Sequence, residues 1–455
     1  MSRSLPKDFM KVFSLAAGIF IALNLISLPV KSQDVKPLTL QEAIDMSVKN
    51  SHILQASSAK IEQAAARVQQ AMDNKLPSAS VSGSYLYMAN PTISMKTGKS
   101  GGADTSGSSI PKINQAVYGI LNVSLPVYAG GKIRYGIESA KYLEQATRLD
   151  AEKDKESVIL NTINAYINLY KASVTVDVVK ENLAQSSQRD SVFSRLEQNG
   201  LLARNDLLKS ELQTSNIELS LLDAENNLKM ANVNMDLMLG LPETVILKTD
   251  STGFDKNIAP KTIDEYEQLA LNSRKDVMAL SFRKMAADKG VSVAKADRYP
   301  SLALTGGYIA ADIPHFVAIT NAVNIGVGLQ YNIASLWKSK SKIAEAKSKV
   351  AEITANEAQL SDGIRMQINR DFENFLLSRK KTEVYNKAVT QAEENYRITK
   401  NKYDNALVNT TDLLDANVSL LQSKINLAVS KADVLLAYSK LLETAGILSN
   451  NQSIN

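Results

Sequence analysis

Cysteine is absent from this chain of 455 residues. That excludes disulfides, thiolate metal sites, a cysteine nucleophile and acylation at a lipoprotein cysteine. Glycine and proline are sparse, 20 and 11 in all, and aromatics make up only 6%. Such a chain has few positions that force turns, and it favours extended helix over a large mixed core. There is no excess of one charge. The 52 Lys and Arg are interleaved with 47 Asp and Glu, so nucleic acid is not an expected partner. Histidine occurs twice, at His52 on an expected helix and His315 in an expected loop, with no nucleophile or ligand cluster nearby. Gly98, Gly101, Gly102 and Gly107 lie in a Ser-rich loop rather than before a helix, as a phosphate site requires. The expectation is therefore no catalytic, cofactor-binding or metal site, and no enzyme.

Long apolar runs are also missing, with one exception at the start. Arg3, Lys7 and Lys11 precede an apolar stretch from Val12 to Leu28, followed by Pro29 and a small residue at Ser32. This is the layout of a signal peptide over 1–32, with an uncleaved anchor as the rival reading. Nothing later approaches the ~20 apolar residues of a membrane helix, so insertion into a membrane would have to use strands.

What the chain does contain is a duplication. Leu76-Pro77-Ser78 matches Tyr299-Pro300-Ser301 at a spacing of about 223. Later matches share a spacing of about 206: Ala140-Lys141 with Ala346-Lys347, Asp206-Leu207-Leu208 with Asp412-Leu413-Leu414, and Gly240-Leu241 with Gly446-Ile447. The difference of about 17 places an insertion in the first copy, at the Gly/Ser-rich segment 96–109. The expected plan is a first repeat over 38–242 with a β-hairpin at about 78–128, and a linker over 243–260. A second repeat over 261–448 follows, with its hairpin at about 301–334, and then a tail over 449–455.

Each copy begins with an amphipathic helix, expected over about 39–75 and 262–298 and ended by Pro77 or Pro300. Strands follow. Val323, Ile325, Val327, Leu329, Tyr331 and Ile333 alternate with Asn324, Gly326, Gly328, Gln330 and Asn332, and a weaker version runs from Val117 to Val127. Period-2 alternation marks strands with one apolar and one polar face. Four such strands have no other sheet to cover them, and a membrane barrel needs at least eight. Several chains must then share one barrel, and three chains would supply twelve strands. Tyr85, Tyr87, Tyr128, Phe316, Tyr331 and Trp337 are candidates for interfacial girdles.

Proline-free helical sequence then runs over about 132–196 and 335–403, long enough for rods of roughly 100 Å. Returning helices are expected over about 206–239 and 412–448. In the last, Leu413, Leu420, Leu427, Val434, Leu441 and Leu448 repeat every seven residues beside a second stripe at Leu414, Leu421, Leu435 and Leu442. Heptads of this kind specify coiled packing, here on more than one side.

Several local sequences add to this plan: Leu76-Pro77-Ser78, Leu125-Pro126-Val127-Tyr128-Ala129-Gly130-Gly131-Lys132, Leu239-Gly240-Leu241-Pro242 and Thr411-Asp412-Leu413-Leu414-Asp415-Ala416. Together and in this order the chain resembles the TolC-like outer membrane efflux protein family across essentially all of its mature length. The resemblance implies a mainly α fold with a small β part. A homotrimer would build a 12-stranded barrel in outer-membrane lipid, continuous with a 12-helix periplasmic tunnel. It also implies a passive exit duct, without cofactor, that meets a periplasmic adaptor and an inner-membrane pump of RND, ABC or MFS type. A periplasmic coiled-coil adaptor is the alternative, which accounts for export and long helices but not for the duplication or the strands.

On the same resemblance Asp412 and Asp415 fall where the family narrows its periplasmic entrance with acidic rings. Their spacing of three puts both on one face near a helix N-terminus, where the dipole favours negative charge. The structural alternative makes Asp412 an N-cap and Asp415 a first-turn residue. Asp206 and Tyr403 match positions of the family's tip-closing contacts. Val408 stands where those contacts often include an arginine, which leaves Arg204 or Arg195 to take its part.

Overall fold

The computed structural model describes residues 35–89, 114–250, 259–314 and 317–450. The signal peptide 1–32, the Gly/Ser-rich segment 96–109, His315, Phe316 and most of the tail lie outside them. The element order is β1 (Val35–Leu38), α1 (Leu40–Asn50), α2 (His52–Asp73), β2 (Ser78–Tyr87), β3 (Gln115–Ala129), α3 (Lys132–Gln198) and α4 (Arg204–Leu239). The second copy follows as β4 (Ile246–Thr249), α5 (Ile263–Ser273), α6 (Lys275–Ala296), β5 (Ser301–Ile313), β6 (Val317–Gln330), α7 (Ser335–Asp404) and α8 (Thr410–Thr444), with a short 3-10 turn at Leu448–Asn450. At 67 and 70 residues, α3 and α7 are about 100 Å long.

One expectation changes in both copies. The single helices foreseen over 39–75 and 262–298 are each two helices, broken at Ser51 and Arg274, where the backbone is extended. Ser51 turns its hydroxyl to the Leu54 N–H and starts α2 as an N-cap. The breaks serve the ends of the returning helices. Asn50 Nδ2 donates to Leu239 O at 2.6 Å and an Arg274 guanidinium nitrogen donates to Thr444 O at 3.0 Å, partnering carbonyls that a helix end leaves open. Gly240 and Gly446, both left-handed, let these ends approach; a Cβ on Gly446 would sit 2.8 Å from Arg274 N.

A second difference concerns the segment expected as a linker over 243–260. Its start is β4, which pairs in parallel with β1, Val35 opposite Ile246 and Leu38 opposite Thr249. Leu38, Tyr166, Met235, Leu239 and Leu247 bury this small sheet against α1, α3 and α4. The larger core lies beside it, where Ile163 and Ile167 of α3 meet Ile364, Ile368 and Phe375 of α7 and Leu441 and Leu442 of α8. A third, small cluster closes the far end of the helical hairpins with Phe193, Leu207 and Leu413.

The four longer strands form one antiparallel sheet in the order β2-β3-β5-β6. The duplicated hairpins are thus joined directly, β3 to β5, and β2 and β6 are the edges among the described strands. Gly130 and Gly131 turn the chain from β3 into α3 with positive φ, and a Cβ on Gly130 would lie 2.6 Å from Ala296 O of the other copy.

Candidate functional site: a two-faced sheet and a helical tip

Register fixes what each face of the sheet carries. One face aligns Val81-Leu121-Tyr308-Val323, then Ala79-Val123-Gly306-Ile325, then Leu125-Leu304-Val327. The opposite face aligns Ser80-Asn122-Gly307-Asn324 and Ser78-Ser124-Thr305-Gly326. The apolar face is uncovered: Val81 and Ile325 are 81% and 82% exposed. Apolar surface of this extent in a folded chain marks contact with lipid or protein. The aromatic ends also fit a bilayer. From the Tyr85–Val117 pair to Tyr128 is roughly 35 Å along the strand, or about 27 Å at the ~40° tilt of a barrel, close to the ~25 Å apolar band of such proteins. Strand β6 stops at Gln330, so Tyr331 and Ile333 lie beyond it. Among the described residues no helix is long and apolar enough to cross a membrane.

At the other end, about 100 Å of helix away, lie the residues singled out in the sequence. Asn409, not Asp412, is the N-cap of α8. Its side chain accepts from the Asp412 N–H at 3.0 Å, and the Asp412 carboxylate accepts from the Asn409 N–H at 3.3 Å, a capping box. Asp412 is therefore the third helical residue and Asp415 lies one turn on, both exposed on one face, while Leu413, Leu414, Ala416 and Asn417 are buried on the other. One oxygen of Asp412 serves the cap, and among the described residues no side chain bonds the Asp415 carboxylate.

The duplicated Leu207 and Leu413 meet in the tip cluster, so Asp206 and Asp412 start neighbouring helices side by side. Asp206 pairs with Lys209 at 3.7 Å and does not reach Tyr403. Tyr403 instead packs against Phe193 with ring centres 5.5 Å apart and the rings tilted by 30°, and its hydroxyl accepts from Thr410 at 3.4 Å. Arg204 reaches Glu197 at 4.0 Å and Arg195 bonds the Ser191 carbonyl, so both stay within the first hairpin.

The arginine that does face the second hairpin is Arg189, which the sequence reading passed over. It donates to Ser186 at 2.6 Å and Ser210 at 3.2 Å, and lines a cleft of about 410 Å³ with Tyr396, Lys400 and Tyr403 of α7. Burial holds its pKa below the usual arginine value, partly offset by Asp190 beside it. The inward spacing Val179, Asn182, Ser186, Arg189, Phe193 is the signal that could have found it. Elsewhere His52 lies exposed at the start of α2 against Gln55. Among the described residues no group of three or more His, Asp or Glu is placed to hold a metal.

The model of the outer membrane efflux protein family matches residues 43–241 and 267–446. The outer membrane protein TolC of Salmonella enteritidis is 22% identical over 317 residues, 66% of this chain and 62% of that protein. Toxin and drug export protein A of Aggregatibacter actinomycetemcomitans is 22% identical over 346 residues, 70% of each. The chain thus spans about three fifths of the TolC relatives it matches. Among solved structures, the outer-membrane channel CmeC of Campylobacter jejuni superposes with a TM-score of 0.73 at 19% identity over 93% of this chain and 91% of that one. The outer membrane protein VceC of Vibrio cholerae superposes with 0.73 at 17% identity over 90% and 96%.

Proposed function

This chain belongs to the outer membrane efflux protein family, and on that premise we propose that it is the exit duct of a tripartite efflux or secretion system. Three copies close a 12-stranded barrel in the outer membrane, and their long helices continue it as a 12-helix tunnel toward the periplasm. The duct does no chemistry. It conducts what an inner-membrane pump of RND, ABC or MFS type and a periplasmic adaptor deliver to its helical end.

One observation carries this reading: a sheet with an exposed apolar face, a neutral polar face and two open edges is joined in one chain to rods of about 100 Å. An antiparallel sheet of four strands cannot satisfy its own edges in lipid, whereas three in a ring leave none. The helical part also calls for a partner. Leu208, Leu212, Leu219 and Leu222 of α4 are 49–64% exposed along one side, an apolar stripe that a neighbouring subunit would cover. An adaptor would need neither the lipid-facing strands nor their duplication.

At the entrance Asp412 and Asp415 would form two stacked rings of three carboxylates, and Tyr403 with Asp206 would lie at the seam where the tip closes. Acidic rings at a constriction select cations. The test is reconstitution of the purified full-length protein in planar bilayers. Wild type should form trimeric, cation-selective pores that multivalent cations block, and Asp412→Ala with Asp415→Ala should raise conductance and relieve the block. Unchanged conductance and block would remove the ring assignment. Failure of wild type to form pores would remove the duct itself.

A further inference from the structure

Where the two helical hairpins face each other, their charges are opposite midway and alike near the tip. Lys171 of α3 forms an ion pair with Asp433 of α8. About five turns further along α3, Arg189 lines one cleft together with Lys400 of α7, so each hairpin brings a cation to the same space. Among the described residues neither cation forms an ion pair. Arg189 donates from Nε and one Nη to the hydroxyls of Ser210 and Ser186, which carry no charge. Its neighbour Asp190 accepts from Ser210 and Thr214 of α4. Asp404 is the one acid in the cleft wall, which leaves the wall with a positive balance.

Two like charges on facing helices repel, and the repulsion is screened least where a guanidinium is partly buried. An anion between them turns that repulsion into two attractions. The rest of the wall selects the kind of anion. Phe193, Tyr396, Tyr403 and Leu413 give it aromatic and aliphatic surface, and the cleft holds about 410 Å³. That is far more than a bare inorganic ion fills and lies in the range of sites for small organic ligands. Arginine suits a carboxylate because its planar fork matches the two oxygens, and a lysine adds a point charge beside it.

We propose that this cleft is a binding site for small amphipathic organic anions, with aryl carboxylates as the fitting class. The carboxylate lies between Arg189 and Lys400, and the ring lies against Phe193, Tyr396 and Tyr403. A bound anion ties α3 to α7 with contacts that the chain's own residues do not supply. The site is built within one chain, so it goes beyond the duct reading and does not depend on it.

The test is fluorine NMR of para-fluorobenzoate added at pH 7 to the purified full-length protein in detergent micelles. The ligand line should broaden saturably. Neutral para-fluorobenzamide, of nearly the same shape, should bind at least ~10-fold more weakly, because its contacts are no longer charge-assisted. Arg189→Gln should weaken the benzoate by a similar factor, and Lys400→Gln, at an exposed position, by ~3-fold. Lys400→Glu places a carboxylate of the chain's own across from Arg189. It should abolish benzoate binding and, with no ligand present, raise hydrogen-exchange protection of the amides over 396–403. Equal binding of benzoate and benzamide overturns the proposal, and so does an unchanged benzoate affinity in Lys400→Glu. Lys400 is exposed on α7, so its variants carry the test even if Arg189→Gln does not fold.

Discussion

Asp236 near the end of α4 is fully buried, and only one of its two carboxyl oxygens has a partner. Asn232 Nδ2 donates to Asp236 Oδ2 at 2.7 Å and to Val245 O at 2.6 Å, while Asn232 Oδ1 accepts from the Leu247 N–H at 2.8 Å. Asp236 thus fixes the amide that closes the outer edge of β4. Burial, with a smaller contribution from Glu243, pushes the Asp236 pKa up to about 6 from 3.8. Among the described residues no cation offsets it, so the neutral acid is the form that the fold prefers. A raised folded pKa stabilises below the unfolded value of 3.8, and that contribution is lost as pH rises through about 6. Some two pKa units correspond to about 3 kcal/mol.

Asp236→Asn keeps the shape and removes the charge, so at pH 8 it should stabilise this region by up to about 3 kcal/mol, and at pH 4 by almost nothing. Hydrogen exchange read by mass spectrometry reports it locally. Protection of the amides over 245–249 should rise on the order of 10²-fold in the variant at pH 8 and stay level with wild type at pH 4. Equal protection at pH 8, or the same gain at both pH values, would refute the assignment of a buried, uncompensated carboxylate.

The sheet offers a paired comparison. Ile325→Lys puts a charge on the apolar face and should cost about 2–4 kcal/mol of folding into lipid vesicles, whereas Asn324→Lys on the other face should insert normally; equal yields would reverse the assignment of faces. Gly130→Ala meets both a φ of 62° and the Ala296 carbonyl at 2.6 Å, so a cost above about 1 kcal/mol and a lower melting temperature are expected. Gly119→Ala, with nothing within 4 Å of the added carbon, should melt as wild type does.

The duplication and the long helices were legible because each rests on many residues. The period-2 face of β6 and the proline-free span of α7 repeat the same signal often enough to outweigh local noise. The breaks at Ser51 and Arg274 were not legible, since neither carries proline or glycine and Arg274 has no side-chain cap. They are imposed from outside, by helix ends that arrive about 170–190 residues later in sequence. Strands β1 and β4 have four residues each, too short for any period. At the tip, the capping box was legible: Asn409 has Asp412 three residues on, whereas Thr410 and Thr411 have Leu413 and Leu414 there. The distance between Asp206 and Tyr403 depends on how two hairpins lean together, which no local pattern encodes.

The open edges of β2 and β6 bear on the chain's life before it reaches the membrane. A lone copy carries two rows of unpaired backbone groups flanking an apolar face, and each row is a template for any extended strand it meets. If three copies share one barrel as proposed, solitary copies are the hazardous species, and their lifetime depends on how soon equals are found. Expression level then acts in both directions: too few copies leave edges waiting, and too many offer wrong registers. A truncated copy retaining β6 but lacking β2 would join one neighbour and block the next, so a minority of such fragments should silence a majority of intact chains.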